Sequence, residues 1–324
     1  MNQEVSVQAS RQGSARRPQS PAVDEGERAR VCTAIRAALL AARNSDGGWP
    51  YVPGRRSRIE PTCWALLALA RAAEREVQAD VLHRWRKQDG WLVDVPRVPP
   101  NHAFNALAAL IVEQSPASRP LADAIATQVI AAKGVQVRQG SEMRQDNSLQ
   151  AWSWIDGTFS WVEPTAWCLI LLKQRRARGA DAGTAAQERI AVGERMLLDR
   201  VCREGGWNYG NSNVYGQDLW PYVPTTAVAL LAMQDRRDAP AVQRSLRLLA
   251  DKSRSELSMA ALAISAICLR VLQEDSSEVE QDLVAHASQA VQDDRSDANR
   301  VGLAMALYAL AVSTRPMELL ELAG

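Results

Sequence analysis

Apolar residues recur at helical spacing along almost the whole chain after residue 27, and strand patterns are nearly absent. Two kinds of helical segment alternate: one with a single polar face and one almost without charge. A helix with one polar face suits a surface, whereas a helix that is apolar all round must be buried on most sides. The predicted amphipathic helices cover 27–43, 76–88, 119–132, 184–202, 239–251 and 277–292. The predicted apolar helices cover 63–73, 103–112, 166–172, 227–233, 257–272 and 298–312.

A turn motif links the first four pairs of helices. Its four occurrences are Asp46-Gly47-Gly48-Trp49, Asp89-Gly90-Trp91, Asp156-Gly157-Thr158-Phe159 and Glu204-Gly205-Gly206-Trp207. Phe159 takes the place of Trp in the third, and each apolar helix then begins near a Pro. Because the connections are short, all apolar helices point the same way. The pattern predicts an all-α (α/α)6 toroid of six hairpins, a double ring with the starts of its inner helices on one rim.

Composition narrows the classes of protein. The chain has 324 residues, 47% of them apolar, and a formal net charge of +1. A large core is possible, while near-neutrality disfavours a dedicated nucleic-acid binder. We expect one domain over 27–314, a disordered tail over 1–26 and a C-terminal tail over 315–324.

The cysteines and the apolar segments indicate where the protein is expected to be found. Five Cys are scattered without a Cys-x-x-Cys pair, which disfavours a disulfide framework. The first 26 residues hold no apolar stretch, and the longest uncharged apolar segments are shorter than a membrane-spanning helix requires. We therefore expect a soluble, cytoplasmic protein without a transmembrane segment.

The turn motif resembles the Gln-x3-Gly-x-Trp repeat of the terpenoid cyclase and protein prenyltransferase superfamily. Arg43-x3-Gly47-x-Trp49 and Val201-x3-Gly205-x-Trp207 have this spacing with the Gln replaced, and the segments 60–69 and 224–232 look like inner-helix starts of that family. The resemblance covers about residues 27 to 312. It implies the toroid fold and an aromatic-lined central pocket for an isoprenoid-like ligand.

The catalytic motifs of these families are not found in the sequence. It has neither the Asp-x-Asp-Asp of class II cyclases nor the zinc motif of protein prenyltransferases. The run Asp293-Asp294-Arg295-Ser296-Asp297 has the Asp-Asp-x-x-Asp pattern of class I prenyl-diphosphate enzymes, but it falls in the last turn, where Asp297 suits a helix cap. Whether the chain is an enzyme stays open at this point.

Acidic residues precede three of the inner helices. Glu60, Glu163 and Asp218 are candidates for an acid/base set, together with His102. The alternative is that they favour the positive end of a helix. Converging helix starts would by themselves suit a phosphate or carboxylate group, which inward-facing glutamates oppose.

No cofactor is predicted from these residues. Cys63 and His102 open adjacent inner helices and, with one glutamate, form a weak alternative zinc site. The alternative is a buried Cys and a locally bonded His. Magnesium is equally unsupported.

Ten Trp lie between Trp49 and Trp220. Trp49, Trp91 and Trp207 are explained by a turn that holds its outer helix to a neighbour. The aromatic residues left over gather around the third and fourth hairpins and are the predicted ligand-binding residues: Trp154, Trp161, Tyr209, Tyr215, Trp220 and Tyr222.

Three functions compete. The first is a toroid that holds an apolar, isoprenoid-like molecule in its central cavity, which predicts a deep apolar cavity with at least one acid. The second is a non-enzymatic scaffold that holds a peptide or protein partner. The third is a carbohydrate-active (α/α)6 enzyme, which predicts two carboxylates about 5 to 9.5 Å apart.

Overall fold

The structure is a computed structural model that describes residues 24–73, 79–140, 143–180, 183–292, 299–311 and 320–322. This part of the chain contains twelve α-helices in six successive hairpins. The outer helices are α1 (Glu25–Ala41), α3 (Asp80–His83), α5 (Arg119–Ala131), α7 (Thr184–Asp199), α9 (Pro240–Lys252) and α11 (Ser277–Gln292). The inner helices are α2 (Ile59–Ala72), α4 (His102–Val112), α6 (Val162–Ala177), α8 (Val223–Ala232), α10 (Met259–Val271) and α12 (Arg300–Leu310).

The inner helices form a closed ring. Each packs against the next, and α12 returns to pack against α2. The longer outer helices lie on the inner helix that precedes them, so α5 covers α4, α7 covers α6, α9 covers α8 and α11 covers α10. α1 completes the outer layer by packing on α11 and α12. The predicted (α/α)6 toroid is therefore confirmed.

The shorter elements lie in the connections. Three 3-10 helices cover Pro116–Ser118, Gln234–Arg236 and Ser253–Ser255. Two antiparallel strands, β1 (Asn213–Val214) and β2 (Gln217–Asp218), form a small hairpin between α7 and α8. None of the helices in the described ranges is both long enough and apolar enough to cross a bilayer.

Three buried tryptophans hold the ends of the outer helices. The indole Nε1 of Trp49, Trp152 and Trp207 donates a hydrogen bond to the carbonyl of Leu39, Val129 and Leu197, at 2.6, 2.7 and 2.7 Å. Each acceptor lies two residues before the last residue of its outer helix. A buried indole N–H needs such a partner, and the bond fixes where the chain leaves the helix.

The residue predicted for the third turn, Phe159, was wrong. Trp152, not Phe159, is the equivalent of Trp49, because Trp152 is fully buried and makes the helix-end hydrogen bond. Phe159 is 40% exposed on a later turn. In the second hairpin Leu92 stands at the equivalent position, and Trp91 stacks on His102 instead. The loop between α5 and Trp152 is longer than the loop between α1 and Trp49. The Gly-x-aromatic pattern at 157–159 therefore falls after the buried turn residue.

A second bond joins each turn to the inner helix that follows it. The backbone N–H of Trp49, Leu92, Trp152 and Trp207 donates to the side-chain oxygen of Thr62, Asn105, Thr165 and Thr226, at 2.9, 2.7, 3.3 and 3.0 Å. These four acceptors occupy the first turns of α2, α4, α6 and α8. Each of the first four hairpins is thus closed by the same buried contact, which sets the rotation of its inner helix.

A third bond joins neighbouring hairpins. The carbonyl two residues after the turn Trp accepts a hydrogen bond from the first amide of the adjacent inner helix. The pairs are His102 to Trp154, Val162 to Tyr209 and Arg300 to Tyr51, each at 2.9 Å. The Ile59 amide instead donates to Asp94 Oδ2 at 2.8 Å. The bond from Arg300 to Tyr51 closes the ring between the last and first hairpins.

The second outer helix departs from its predicted span of 76–88. In the described part, α3 covers only Asp80–His83. The chain then doubles back in a turn, where Gly90 has a φ of 101° and Arg86 forms a bridge with Leu92. The backbone bonds of this turn compete with helix and end it early.

Charges are buried where α6 ends, on the side of the ring opposite the cavity rim. Lys173 Nζ lies 2.8 Å from Glu194 Oε1 and 2.5 Å from Asp235 Oδ1. Arg175 is buried and pairs with Glu113 at 2.9 Å. Its neighbours at the helix end are exposed.

The last described residues also pack at this end of the ring. Leu320 is fully buried, and the side chain of Gln174 donates to the Glu321 carbonyl at 2.8 Å. Gln234 donates to the Leu320 carbonyl and accepts from the Leu322 amide at 3.1 Å. The C-terminal residues 320–322 are thus bound to the ends of α6 and α8.

Truncating Trp152 separates the two assignments of the third turn. Trp152→Ala removes a buried indole and its hydrogen bond, so we expect it to lower the free energy of unfolding by about 3–5 kcal/mol. Phe159→Ala removes a partly exposed ring and is expected to cost less than about 1 kcal/mol. Urea unfolding followed by circular dichroism measures both. Equal costs would contradict the structural role of Trp152.

Candidate functional site

A cavity of about 300 Å³ lies inside the ring, at the end where the inner helices begin. All six inner helices contribute to its wall, as do two turn residues. The described residues that line it are Tyr51, Glu60, Trp64, Phe104, Leu107, Glu163, Trp167, Tyr209, Pro224, Thr225, Val228, Ala260, Ile264, Asn299, Val301 and Met305.

The threonine contacts explain why these side chains point inward. Successive residues in an α-helix are about 100° apart, so residues two before and two after a given position lie on nearly the opposite side. Thr62 faces outward to the Trp49 backbone, and Glu60 and Trp64 therefore face the lumen. The same holds around Thr165 for Glu163 and Trp167.

The lining consists of two layers. Lumen positions repeat four residues apart, one helical turn deeper, as in Ala260 and Ile264 or Val301 and Met305. The layer nearer the rim holds the two glutamates. The deeper layer is apolar and partly aromatic, with Trp64, Leu107, Trp167, Val228, Ile264 and Met305. A ligand in this cavity meets acids near the rim and apolar side chains below them.

Aromatic rings contact one another in the deeper layer. Trp64 and Trp167 meet edge to face with ring centroids 6.0 Å apart, and Trp64 also meets Tyr308 at 6.1 Å. Both indoles are almost fully buried. This packing fixes the rings, so the cavity wall is preformed.

Glu60 is held by the turn of its own hairpin. Tyr51 Oη donates to Glu60 Oε2 at 2.5 Å. Burial raises the pKa of the Glu60 carboxyl, while the Tyr51 hydrogen bond and the nearby Arg58 charge oppose that rise. Burial and Glu60 together also raise the pKa of the Tyr51 phenol well above its usual range. The pair is therefore a carboxyl group with a fixed hydrogen-bond donor.

Glu163 is the acid with the larger shift. Burial is the main cause, and the Glu60 charge adds to it, raising the pKa of Glu163 to about 7 against a weaker opposing hydrogen bond from Trp167. Near neutral pH this carboxyl is thus divided between its protonated and ionised forms. A group in that condition can donate or accept a proton.

Asp218 does not join this pair. It lies in β2, where its carboxylate accepts a hydrogen bond from Asn213 at 2.8 Å and pairs with Arg144 at 3.1 Å and Arg203 at 3.5 Å. The Asn213 hydrogen bond holds the pKa of Asp218 below its ordinary value. The predicted three-member acid set is reduced to Glu60 and Glu163, because the hairpin turns Asp218 toward surface arginines.

His102 lies among other side chains and not on the described cavity lining. It is fully buried, stacks on Trp91 with centroids 5.1 Å apart, and its Nε2 lies 3.2 Å from Asp156 Oδ1. Burial lowers the pKa of the imidazole. The predicted catalytic role of His102 therefore has no geometric connection to the two glutamates.

The zinc alternative lacks a ligand set. Cys63 is fully buried, and burial raises the pKa of its thiol well above the usual range. Among the residues that the structure describes, no group of three or more His, Cys, Asp or Glu side chains could hold a metal ion. The Asp293–Asp297 run lies outside the described residues.

The predicted aromatic residues divide into three groups. Tyr209 lines the cavity and stacks on Tyr222 at its mouth, with centroids 4.7 Å apart. Trp154 packs on the lining residue Phe104, at 6.1 Å, and Trp161 stacks on Phe159, at 4.5 Å. Tyr215 and Trp220 lie outside the described lining and are 85% and 73% exposed. Of the six, the structure places only Tyr209 in the cavity wall.

Trp64 and Trp167 are site residues that were not predicted from the sequence. The signal was present: Glu-Pro-Thr-x-Trp occurs at 60–64 and again at 163–167. Tyr51 and Phe104, also unassigned, lie on the same wall.

Part of the backbone donors at the rim are already engaged. The first amides of α2, α4, α6 and α12 donate to the neighbouring hairpin. These four amides are therefore not available to the expected phosphate or carboxylate group.

Comparison with known proteins finds the fold and no sequence family. No protein-family model and no curated protein matches the sequence. Among solved structures, an inactive variant of the α-1,6-mannanase of Salegentibacter, in complex with α-1,6-mannotriose, is similar over 88% of this chain and 99% of its own, with a TM-score of 0.61 and 10% identity.

A second similar structure is the type II terpene cyclase MstE of Scytonema, a variant in complex with its substrate geranylgeranyl dihydroxybenzoate. It covers 88% of this chain and 97% of its own, with a TM-score of 0.54 and 14% identity. An α-amylase of Clostridium perfringens covers 87% and 97%, with a TM-score of 0.57 and 9% identity. The chain thus has the α/α toroid fold that terpene cyclases share with carbohydrate-active enzymes.

Glu163 is expected to make stability depend on pH. Its pKa is about 7 in the folded protein, above its ordinary value of 4.5, so its contribution is full at low pH and is lost as pH rises through that interval. When the pH is raised from about 5 to about 8, the melting temperature of Glu163→Gln should therefore fall less than that of the parent protein. Glu204→Gln, at an exposed turn position, is the control. Parallel curves for the parent and Glu163→Gln would show that the shift is absent.

Proposed function

We propose that this protein binds an apolar, isoprenoid-like small molecule in its central cavity and that Glu163 serves as a proton donor to it. The observation that carries the proposal is the layering of the cavity, with two interacting carboxyl groups above an apolar, aromatic floor. Such a wall suits a ligand that is apolar over most of its length and reactive or polar at one end.

The apolar floor supplies affinity. Burial of apolar surface contributes roughly 25 cal/mol per Å². The volume of about 300 Å³ lies at the small end of the range for ligand pockets, which favours a short isoprenoid chain. The fixed Trp64 and Trp167 rings require little ordering on binding.

The two acids supply chemistry. A protonated Glu163 can transfer its proton to a carbon of an alkene, whose π electrons form the new C–H bond and leave a cation on the neighbouring carbon. Trp64 and Trp167 line the cavity below the acids, where an indole ring facing the cation would stabilise it. The Glu163 carboxylate left behind can accept a proton from a carbon next to the cationic centre, whose C–H electrons form a new double bond; this step gives the neutral product and restores the acid.

The similarity to the terpene cyclase MstE supports this proposal at the level of the fold. Glu163 would take the part of a proton-donating acid although the Asp-x-Asp-Asp motif is not found in the sequence. Its raised pKa is what a carboxylic acid needs in order to carry a proton near neutral pH.

A carbohydrate-active function is the second candidate. Two specific observations favour it: Glu60 and Glu163 face one cavity with mutual electrostatic influence, and Tyr209 and Tyr222 form a stacked aromatic pair at its mouth. The similarity to the mannanase supports it equally at the level of the fold. Against it, the deeper layer offers mostly apolar side chains to a sugar's many hydroxyl groups.

A scaffold function would use the exposed β1–β2 hairpin and its surroundings instead of the cavity. Tyr215 and Trp220 are the exposed aromatics that would contact a partner. Under that function, Trp220→Ala abolishes partner capture and small molecules leave the melting temperature unchanged.

Filling the cavity tests the proposal. Ala260→Phe adds a ring at a lining position of α10 and is expected to weaken geraniol binding at least tenfold. Ala185→Phe adds the same ring to the exposed face of α7 and should leave binding unchanged. Quenching of tryptophan fluorescence measures the affinity, and native mass spectrometry detects a co-purifying ligand.

The same titration separates the competing functions. Binding of α-1,6-mannotriose but not of geraniol would favour the carbohydrate function. Equal geraniol affinity in the parent and Ala260→Phe would place the ligand outside the cavity and contradict the proposal.

A further inference from the structure

Resting on the proposed function, we propose that the cavity selects its ligand by charge: it prefers an apolar ligand whose polar end is a protonated amine, accepts a neutral alcohol and excludes a diphosphate. Three features of the described residues lead to this order. They are the charges of the lining, the engagement of helix-start amides and the positions of aromatic side chains near the acids.

The charged side chains of the described lining have one sign. Glu60 and Glu163 line the cavity, and none of its other described lining residues is Lys, Arg or His. The nearby Arg58 is engaged elsewhere: its Nε lies 2.8 Å from Asp94 Oδ2, and its guanidinium lies over the Tyr51 ring at 5.7 Å. An anion that enters the cavity therefore approaches carboxyl groups without a cation in the described wall to pair with.

Hydrogen bonds within the ring reduce the ability of the backbone to compensate for this. Helix starts bind phosphate through free amides. The first amide of α4 donates to the Trp154 carbonyl, that of α6 to Tyr209 and that of α12 to Tyr51. The first amide of α2 donates to Asp94 Oδ2. The bonds that hold the ring together thus occupy the first amide of four of the six inner helices, which reduces the number of backbone donors left for a diphosphate.

A cation meets the opposite conditions. Tyr51 and Tyr209 stand beside the acids on the rim, and Trp64 and Trp167 lie one turn below them. Aromatic faces attract ammonium groups, most strongly where water is excluded. A protonated amine also lets Glu60 and Glu163 remain ionised together, because its charge offsets the repulsion between them.

Three probes with the same geranyl chain test the order: geranylamine, geraniol and geranyl diphosphate. Tryptophan fluorescence titrations at about pH 8 give the affinities, at a pH where ionised Glu163 predominates. We expect geranylamine to bind at least tenfold more tightly than geraniol, and geranyl diphosphate to show no saturable binding.

Two neutral variants assign the preference to the acids. Glu163→Gln and Glu60→Gln should each reduce the ratio of amine to alcohol affinity at least threefold, whereas Glu204→Gln at an exposed turn leaves the ratio unchanged. Circular dichroism checks that each variant is folded, and either folded variant is sufficient.

The outcomes separate the two proposals. Diphosphate binding as tight as that of the amine, or an unchanged ratio in the folded Glu163→Gln or Glu60→Gln variant, would overturn charge selection and leave the proposed function standing. Failure of all three probes to bind would overturn the proposed function, and charge selection with it. Tight amine binding that depends on the glutamates supports both.

Discussion

The fold depends on one repeated arrangement, the hydrogen bonding of a buried turn residue to the helices on either side of it. At Trp49, Trp152 and Trp207 the indole N–H binds the end of the outer helix, and the backbone N–H binds a threonine of the inner helix. Polar groups that would be costly to bury unpaired thus bind one another. The carbonyl two residues later then binds the next hairpin, so one short segment makes contacts in three directions.

The same arrangement builds the candidate site. Because the threonine side chain faces outward to the turn, the glutamate and tryptophan two residues away on either side must face the lumen. Residues that fix the rotation of the helix and residues that line the cavity therefore alternate along one helical turn. A sequence change that kept the glutamate and the tryptophan but removed the threonine hydroxyl would remove the bond that sets their direction.

The fold class could be predicted from the sequence because an uncharged helix has few alternatives to burial, and six of them alternate with amphipathic helices. The particular turn residues were harder. Spacing alone assigned Phe159 to the third turn, whereas burial and hydrogen bonding assign Trp152. Trp220 and Asp218 were predicted near the site because their loop precedes α8, but a local hairpin places them on the surface.

The acids illustrate what a sequence can and cannot supply. Glu60 and Glu163 were identified as candidates from their positions at helix starts, but their direction depends on the rotation of α2 and α6. That rotation is set by contacts with residues 13 positions earlier in the chain. Trp64 and Trp167 were missed for the same reason, since their role appears only once the helices are rotated.

A crystal structure of the protein with geraniol at saturating concentration would show where the ligand binds. We expect electron density for the geranyl chain over Trp64 and Trp167, with the hydroxyl of geraniol within hydrogen-bond distance of Glu60 or Glu163. Density beside Trp220 on the exposed hairpin, with the cavity free of ligand, would contradict it.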